Sequence, residues 1–270
     1  VPLTLLSFTS ETEIGIVEMG ANHKKEIEFL CELATPNYGY ITNFGKAHLE
    51  GFGGVEGVIE GKSEMYKYLS ANDKLAFINL EDPIQVERSK SLKSYSFGIN
   101  KTNADVNITS IKANPFVTIG YSDLVVQSHL IGLYNANNIN AALTIGKYFG
   151  VTDSEIKDAL ESYIPENNRS QLVKKGSNQI ILDAYNANPS SMSVAIENFL
   201  QLDNTNKIMI LGDMFELGDE SLQEHKAIVA MLSKDENVKC YFVGSAFYES
   251  KIEKDNFWFY DTFESFSNDF

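Results

Sequence analysis

The chain has 270 residues and 43% hydrophobic content, which is typical of a folded protein with two ordinary domains and excludes an intrinsically disordered one. Its formal net charge of -15 argues against nonspecific binding to nucleic acid, because contacts to phosphate need clustered lysine and arginine. No apolar run reaches the roughly 18 residues that a membrane helix needs, so we expect neither a nucleic-acid partner nor membrane insertion.

The first part of the chain predicts strands that alternate with helices. Short apolar runs predict buried strands at residues 14–19, 38–42 and 75–79, and amphipathic segments predict helices at 24–34 and 55–69. Strands that alternate with helices of this length favour a mainly parallel α/β sheet with helices on both faces.

The pattern changes over residues 106–130, where polar and apolar residues alternate and no helix intervenes. This alternation predicts antiparallel strands at the edge of the sheet. Helices are predicted next at 137–149 and, after a cap at Thr152 or Asp153, up to residue 162.

A polar, turn-forming stretch at residues 165–168 predicts a domain boundary. We therefore expect one domain over residues 1–165 and a second, Rossmann-like domain over residues 166–270. In the second domain the expected strands are 180–182, 207–211, 239–243 and 257–260, and the expected helices are 189–202 and 221–232. The missing initiator methionine and the open-ended helical pattern at 262–270 predict that the chain is cut from a longer protein.

Three segments contain residues suited to binding or catalysis. EMGANH at residues 18–23 places Glu18 at the carboxyl end of a predicted strand, where open α/β sheets bind ligands. TNFGKAHLEGFG at 42–53 contains glycines that let the backbone approach a ligand, and its His48 can coordinate a metal. A capping carboxylate and an ordinary loop histidine are the alternative interpretations.

The third segment, GVIEGKS at residues 57–63, is similar to a phosphate-binding P-loop. It has three residues between its glycines where the motif needs four, and it lies inside a predicted helix. We therefore reject the P-loop interpretation.

Together these segments resemble the central ATPase domain of the Mur ligases, whose motifs have the order and spacing of EMGANH, TNFGKAHLEGFG and GKSEMY. Three further blocks agree with this resemblance, namely GLYNANN at 132–138, DAYNANPSSM at 183–192 and LGDMFELG at 211–218. The last two are most similar to the family members that add D-alanyl-D-alanine.

The resemblance implies an ATP-dependent amide ligase of peptidoglycan synthesis in the cytoplasm. ATP would phosphorylate the carboxylate of a UDP-N-acetylmuramoyl tripeptide, and the amine of D-alanyl-D-alanine would then displace the phosphate. ATP and Mg²⁺ are the expected cofactors, and we expect a monomer. Cys31 and Cys240 are expected to be buried free thiols in a reducing compartment.

The resemblance also implies roles for particular residues. Glu18, His48 and Lys62 would act in catalysis and hold magnesium, with Lys62 carbamylated because a carbamate supplies the anionic oxygens that magnesium prefers. The expected nucleotide-binding residues are Asn135, Asn138, Arg169 and Asp183. The expected substrate-binding residues are Asn43, Asn186, Asn188, Asp213 and Glu216.

Each of these roles has a structural alternative. An unmodified Lys62 is an ordinary helix lysine, Asn135 is a capping residue, and Arg169 with Asp183 forms an ion pair. The substrate-binding set instead shapes its own loops.

The sequence also departs from the family pattern. Tyr134 stands where many relatives have histidine, and the segment that ends at Arg169 lacks the usual preceding glycine. The P-loop and the UDP-binding domain precede, in relatives, the position at which Val1 begins. We therefore expect this chain by itself to bind ATP poorly and to be inactive.

Other functions remain open at this stage. A sister Mur ligase or a folylpolyglutamate synthase shares the ATPase core and differs in the amine that it accepts. A nonenzymatic nucleotide-binding protein is disfavoured by the joint presence of Glu18, His48 and Lys62. A Rossmann dehydrogenase is disfavoured because the sequence lacks a GxGxxG motif at a strand-to-helix turn.

Overall fold

The computed structural model describes residues 1–46, 48–166 and 168–270. Ala47, in the TNFGKAHLEGFG segment, and Asn167, in the predicted domain boundary, lie outside the described residues. The chain forms two compact units. The first unit contains residues 1–111, 119–126 and 137–160, and the second contains 112–118, 127–136 and 161–270.

A six-stranded sheet follows the order of its strands along the chain. Its strands are β1 (Tyr38–Tyr40), β2 (Leu75–Asn79), β3 (Lys93–Ile99), β4 (Val106–Ala113), β5 (Phe116–Tyr121) and β6 (Leu124–Ile131). β1 to β4 pair in parallel. β5 follows β4, and β6 follows β5, through connections too short for a parallel crossover, so this part is antiparallel. The predicted mainly parallel sheet with an antiparallel edge is therefore confirmed.

The helices that accompany this sheet include the predicted segments and also short helices at residues 2–6, 49–52 and 83–88 that were not predicted. They are α1 (Pro2–Leu6), α2 (Glu26–Ala34), α3 (Leu49–Phe52), α4 (Val55–Lys62), α5 (Glu64–Ala71), α6 (Pro83–Arg88), α7 (Ala136–Tyr148) and α8 (Asp153–Ser162). The helix predicted at 55–69 is divided at Ser63 into α4 and α5. The GVIEGKS residues lie in and directly after α4, which confirms that they do not form a P-loop turn.

The strand predicted at residues 14–19 is wrong. The segment joins none of the sheets formed by the residues that the structure describes, and Ile14 and Ile16 are 57% and 84% exposed. At its end the sulfur of Met19 lies 3.9 Å from that of Cys31. A short apolar run is compatible with a strand, but a strand forms only where a neighbour satisfies its backbone N–H and C=O groups.

The second unit contains the predicted α/β alternation. Its strands are β7 (Gln171–Lys175), β8 (Asn178–Leu182), β9 (Lys207–Gly212), β10 (Val238–Val243) and β11 (Phe257–Tyr260), and its helices are α9 (Pro189–Leu200), α10 (Ser221–Leu232), α11 (Ser245–Glu249) and α12 (Phe263–Asp269). β9, β10 and β11 form a parallel sheet in the order β11-β10-β9. β7, which was not predicted, pairs with β8 as an antiparallel hairpin.

Both cysteines are free and buried, as predicted. Burial raises the pKa of Cys31 to about 11 and that of Cys240 to about 12, so both groups stay protonated at neutral pH. Among the described residues no helix has the length and apolar character needed to cross a membrane.

Candidate functional site

The EMGANH and TNFGKAHLEGFG segments make backbone contact with each other. A Cβ placed on Gly51 would lie 2.2 Å from the carbonyl oxygen of Asn22, a distance that only glycine permits. Glu26 fixes the backbone at Asn22. Its Oε2 accepts hydrogen bonds from the N–H groups of Asn22 at 2.7 Å and His23 at 3.1 Å. These two N–H groups hold the pKa of Glu26 below its usual range.

Glu18 and His48 lie on the two segments that this contact joins. Glu18 is exposed in the irregular segment that precedes Gly20. His48 is half-buried, has a φ of 55°, and begins α3 by accepting at its carbonyl the N–H of Phe52 at 3.1 Å. The Asn22–Gly51 contact therefore places the stretches that carry the two predicted metal ligands side by side.

Core packing and a buried hydrogen bond fix the backbone on the amino-terminal side of Asn43. Ile41 and Phe44 are buried in the core, and the fully buried Gln85 donates from Nε2 to the carbonyl oxygen of Ile41 at 2.8 Å. The side-chain oxygen of Asn43 accepts the N–H of Gly45 at 3.0 Å, which closes a tight turn. The carbonyl oxygen of Asn43 is thereby held in a defined position.

Lys62, the last residue of α4, meets this carbonyl. Its Nζ donates to the Asn43 oxygen at 2.8 Å, so the structure brings these two predicted site residues together. Lys62 is half-buried, and burial lowers the pKa of its ammonium group. The site thus contains a lysine with an increased fraction of neutral amine.

Two glycines allow α4 to pack closely against α3. A Cβ on Gly57 would lie 1.8 Å from the carbonyl oxygen of Phe52, and one on Gly61 would lie 2.4 Å from the Phe52 ring. An ion pair of 2.5 Å between Lys24 Nζ and Glu60 Oε2 links α4 to the residues before α2. The glycines that suggested a phosphate loop therefore serve helix packing.

Glu64, which the sequence pattern does not single out, positions the start of α2. Its Oε1 accepts the N–H of Lys25 at 2.7 Å, and its Oε2 accepts the N–H of Glu28 at 3.0 Å. The buried carboxylate satisfies N–H groups that the first turn of a helix leaves without a partner. No local pattern signals this role, because Glu64 and α2 are distant in sequence and meet only in the fold.

In the second unit, predicted nucleotide-binding residues lie at the open end of the β7–β8 hairpin. The guanidinium of Arg169 lies 4.2 Å from the centre of the exposed Tyr185 ring, which is cation–π geometry. Oδ1 of Asp183 accepts the N–H of Ser170 at 3.2 Å, and the N–H of Ala184 donates to the carbonyl of Asn168 at 2.9 Å. Arg169 and Asp183 are thus both held at one end of one hairpin.

The two asparagines of GLYNANN that are predicted to bind the nucleotide, Asn135 and Asn138, differ in environment. Asn135 is buried at the end of a 3₁₀ turn (Leu133–Asn135), and its Nδ2 donates to the carbonyl of Ile131 at 2.8 Å. This contact is the capping alternative for Asn135. Asn138 is exposed in α7.

Of the predicted substrate-binding residues in the second unit, Asn188 and Asp213 support helices. Asn188 caps α9 by accepting the N–H of Ser191 at 3.0 Å. The carboxylate of Asp213 accepts the N–H groups of Ala246 at 3.0 Å and Phe247 at 2.9 Å at the start of α11. Asn186 and Glu216 are exposed in their loops, Glu216 with a φ of 60°.

His225, which the motifs do not include, shapes the LGDMFELG loop. Its Nδ1 donates to the carbonyl of Ser221 at 2.7 Å, and its Nε2 accepts the N–H of Met214 at 3.0 Å. This pattern requires the neutral tautomer with the proton on Nδ1. The fully buried His225 side chain therefore fixes the loop that carries Asp213 and Glu216.

The role of Asp213 in stability can be measured directly. We expect Asp213→Ala to lower the free energy of unfolding by about 2 kcal/mol, because two partly buried N–H groups lose their acceptor. The exposed Asp219 provides the control, and Asp219→Ala is expected to change stability by less than about 0.5 kcal/mol. Equal melting temperatures for the two variants in calorimetry would contradict the capping role.

Family profiles match both units. The Mur ligase middle domain matches residues 1–146, and the Mur ligase glutamate ligase domain matches residues 168–262. The UDP-N-acetylmuramoyl-tripeptide–D-alanyl-D-alanine ligase of Bacillus subtilis (strain 168) is 33% identical over 245 residues, which cover 90% of this chain and 54% of that protein. The chain spans about half the length of the curated relatives it matches.

Solved structures show the same likeness. MurF from Acinetobacter baumannii is 31% identical and superposes with a TM-score of 0.84, covering 97% of this chain and 58% of that chain. MurF ligase from Thermotoga maritima, solved in complex with ADP, is 26% identical with a TM-score of 0.83, covering 99% and 63%.

Proposed function

We propose that this chain, which belongs to the Mur ligase family, carries the nucleotide site of an ATP-dependent amide ligase of peptidoglycan synthesis. The ligase joins D-alanyl-D-alanine to a UDP-N-acetylmuramoyl tripeptide, the activity that the printed name of the Bacillus relative describes for that protein. The observation that carries the proposal is Lys62, a half-buried lysine whose Nζ lies 2.8 Å from the Asn43 carbonyl in the matching motif.

Carbamylation of Lys62 suits the environment of its amine. Because burial lowers the pKa of Lys62, more of its amine is neutral than in a solvated lysine. The lone pair of the neutral amine attacks the carbon of CO₂, a proton leaves the nitrogen, and a carbamate results. The modification replaces a cation with a carbamate whose single negative charge is shared by two oxygens.

The donor set also fits a magnesium ion that substrate phosphates help to hold. Across the described residues no three His, Cys, Asp or Glu side chains lie close enough to hold a metal by themselves. Magnesium is usually bound through one or two carboxylates together with waters and phosphates, so such a cluster is not needed. Glu18, His48 and the carbamate of Lys62 are the proposed protein ligands, and the bound ion offsets triphosphate charge.

In the proposed reaction a carboxylate oxygen of the tripeptide attacks the γ-phosphorus of ATP, and the bond to the bridging oxygen breaks to release ADP. The neutral amine of D-alanyl-D-alanine then attacks the acyl carbon. The bond from carbon to the phosphate oxygen breaks, the nitrogen loses a proton, and an amide and phosphate are formed.

Four residues are assigned to the nucleotide. The guanidinium of Arg169 has fixed N–H donors suited to phosphate oxygens, while its face lies on Tyr185. Asp183 accepts hydrogen bonds from ribose hydroxyls. Asn135 and Asn138 face adenine, whose edge needs both donors and acceptors.

The substrate-binding residues act in two ways. Asn43, Asn188 and Asp213 act through the loops that they hold, because their side-chain oxygens already accept backbone N–H groups. Asn186 and Glu216 contact the incoming dipeptide with exposed side chains.

The remaining proposals concern the context of the chain. We assign the central ATP-binding domain to residues 1–165 and the C-terminal ligase domain to residues 166–270. The protein is a cytoplasmic monomer that supplies precursors for cell-wall growth and cell division. The two buried free thiols are compatible with a reducing compartment.

The activity is tested with the natural protein that carries this chain, ATP, Mg²⁺ and UDP-N-acetylmuramoyl tripeptide. ADP release and a new amide, detected by mass spectrometry, are expected with D-alanyl-D-alanine and not with diaminopimelate, lysine or glutamate. Turnover with one of the other amines would reassign the protein to a sister ligase. Absence of ligation with every amine would refute the proposal.

A further inference from the structure

The side chain of Tyr134 reaches the turn that holds Asp183. Its hydroxyl makes a short hydrogen bond with the hydroxyl of Ser170 and lies 3.4 Å from Oδ2 of Asp183. The backbone N–H of Ser170 donates to Oδ1 of the same carboxylate at 3.2 Å. Tyr134, Ser170 and Asp183 therefore form one closed network within the second unit.

This arrangement depends on the residue before the 3₁₀ turn. Gly132 has a φ of 88°, and a Cβ there would lie 2.5 Å from the Tyr134 ring and 2.6 Å from the amide nitrogen of Asn198. Glycine at this position lets the ring fold back against the backbone and directs its hydroxyl towards Ser170.

Each hydrogen bond of the network can be given one donor and one acceptor. The Ser170 hydroxyl donates to the phenol oxygen, the phenol donates to Oδ2 of Asp183, and the Ser170 N–H donates to Oδ1. Burial raises the pKa of Tyr134 to about 12, so the phenol keeps its proton at neutral pH. Each oxygen of Asp183 then has one protein donor and retains acceptor capacity for a ligand.

We infer that Tyr134 is a positioning residue for the nucleotide ribose, because its hydroxyl and that of Ser170 orient the Asp183 carboxylate. The inference rests on the proposed role of Asp183. The phenol of Tyr134 is long enough to reach both Ser170 and Asp183, which flank the open end of the β7–β8 hairpin.

The test compares ATP with 2′,3′-dideoxy-ATP in the natural protein that carries this chain. We expect Tyr134→Phe to raise the KM for ATP by about fivefold, with kcat and the KM for the tripeptide little changed. The preference for ATP over the dideoxy nucleotide, as a ratio of kcat/KM, is expected to fall by a similar factor. Tyr248→Phe, which alters a tyrosine elsewhere in the second unit, is the control and should leave the preference intact.

The Asp183→Asn variant separates this inference from the proposed function. We expect it to lower the same preference, and Tyr134→Phe added to it to have no further effect, because both act through one carboxylate. If Asp183→Asn lowers the preference and Tyr134→Phe does not, the inference on Tyr134 is wrong and the role of Asp183 stands. If Asp183→Asn leaves it unchanged, the ribose role fails and the inference fails with it.

Ser170→Ala tests the same network in case Tyr134→Phe yields no folded protein. It removes the bridging hydroxyl and keeps the backbone N–H that binds Asp183. A preference for ATP lower than in the unaltered protein supports the network, and an unchanged preference overturns it.

Discussion

Replacement of Lys62 by methionine or arginine is expected to reduce ATP-dependent ligation about a thousandfold, the size of effect typical of losing a main electrostatic group at a reaction centre. Methionine has no amine to modify. Arginine keeps the positive charge but cannot become a carbamate under these conditions. If the carbamate is needed, both variants fail, whereas a lysine needed only for its charge would tolerate arginine in part.

Loss of activity in these variants must be separated from loss of folding. The pKa of Lys62 is lower in the folded protein than in the unfolded chain, so the unfolded chain binds more protons between those two values and stability rises with pH across that interval. At neutral pH the unmodified ammonium therefore opposes folding, and Lys62→Met is expected to melt at the same temperature as the unaltered protein or slightly higher. The exposed Lys67, in α5, provides the matched control, and Lys67→Met should retain activity and stability.

Removal of dissolved CO₂ and bicarbonate provides a third readout. We expect ligation to decline as the carbamate reverses to free amine and to recover when bicarbonate is added. Full activity of Lys62→Arg, or activity independent of bicarbonate, would contradict the modified lysine.

Replacement of Gly57 by alanine is expected to destabilise the first unit by about 3 kcal/mol and to lower its melting temperature by about 10 °C. The added Cβ would lie 1.8 Å from the carbonyl oxygen of Phe52, and backbone cannot move aside as a flexible side chain can. α4 must then shift away from α3, which also displaces Lys62 from Asn43. We therefore expect the ligation rate to fall together with stability.

Gly20 is the matched control for this variant. A Cβ on Gly20 has no atom within 4 Å, so Gly20→Ala should change the melting temperature by less than about 2 °C. Calorimetry of the two variants measures the difference. Equal melting temperatures would show that α4 does not rest on Phe52 as closely as the structure indicates.

Much of the fold was predictable because its strands and helices have strong local patterns. β2 and β11 have the predicted bounds, and α10 begins and ends at the predicted residues. The error at residues 14–19 has a different cause, since Ile14 and Ile16 form an apolar pattern that fits a buried strand. Whether such a segment joins a sheet depends on a neighbour with free backbone groups, and this is a property of the fold.

The candidate site was predictable to a similar extent. The motifs singled out Lys62 and Asn43, which make contact, and Arg169 and Asp183, which lie at one hairpin end. For Asp213 the motif indicated an important position without indicating that its carboxylate caps α11.

The sequence by itself determined many of the strands and helices and the motif residues, because periodicity, glycine placement and short spacing are local. Only the tertiary structure decided the partners of these residues: Glu64 at the start of α2, Asn22 against Gly51, and the phenol of Tyr134 beside Asp183. Each of these contacts joins residues far apart in the chain. Their energies depend on distances and burial that appear only when the chain is folded.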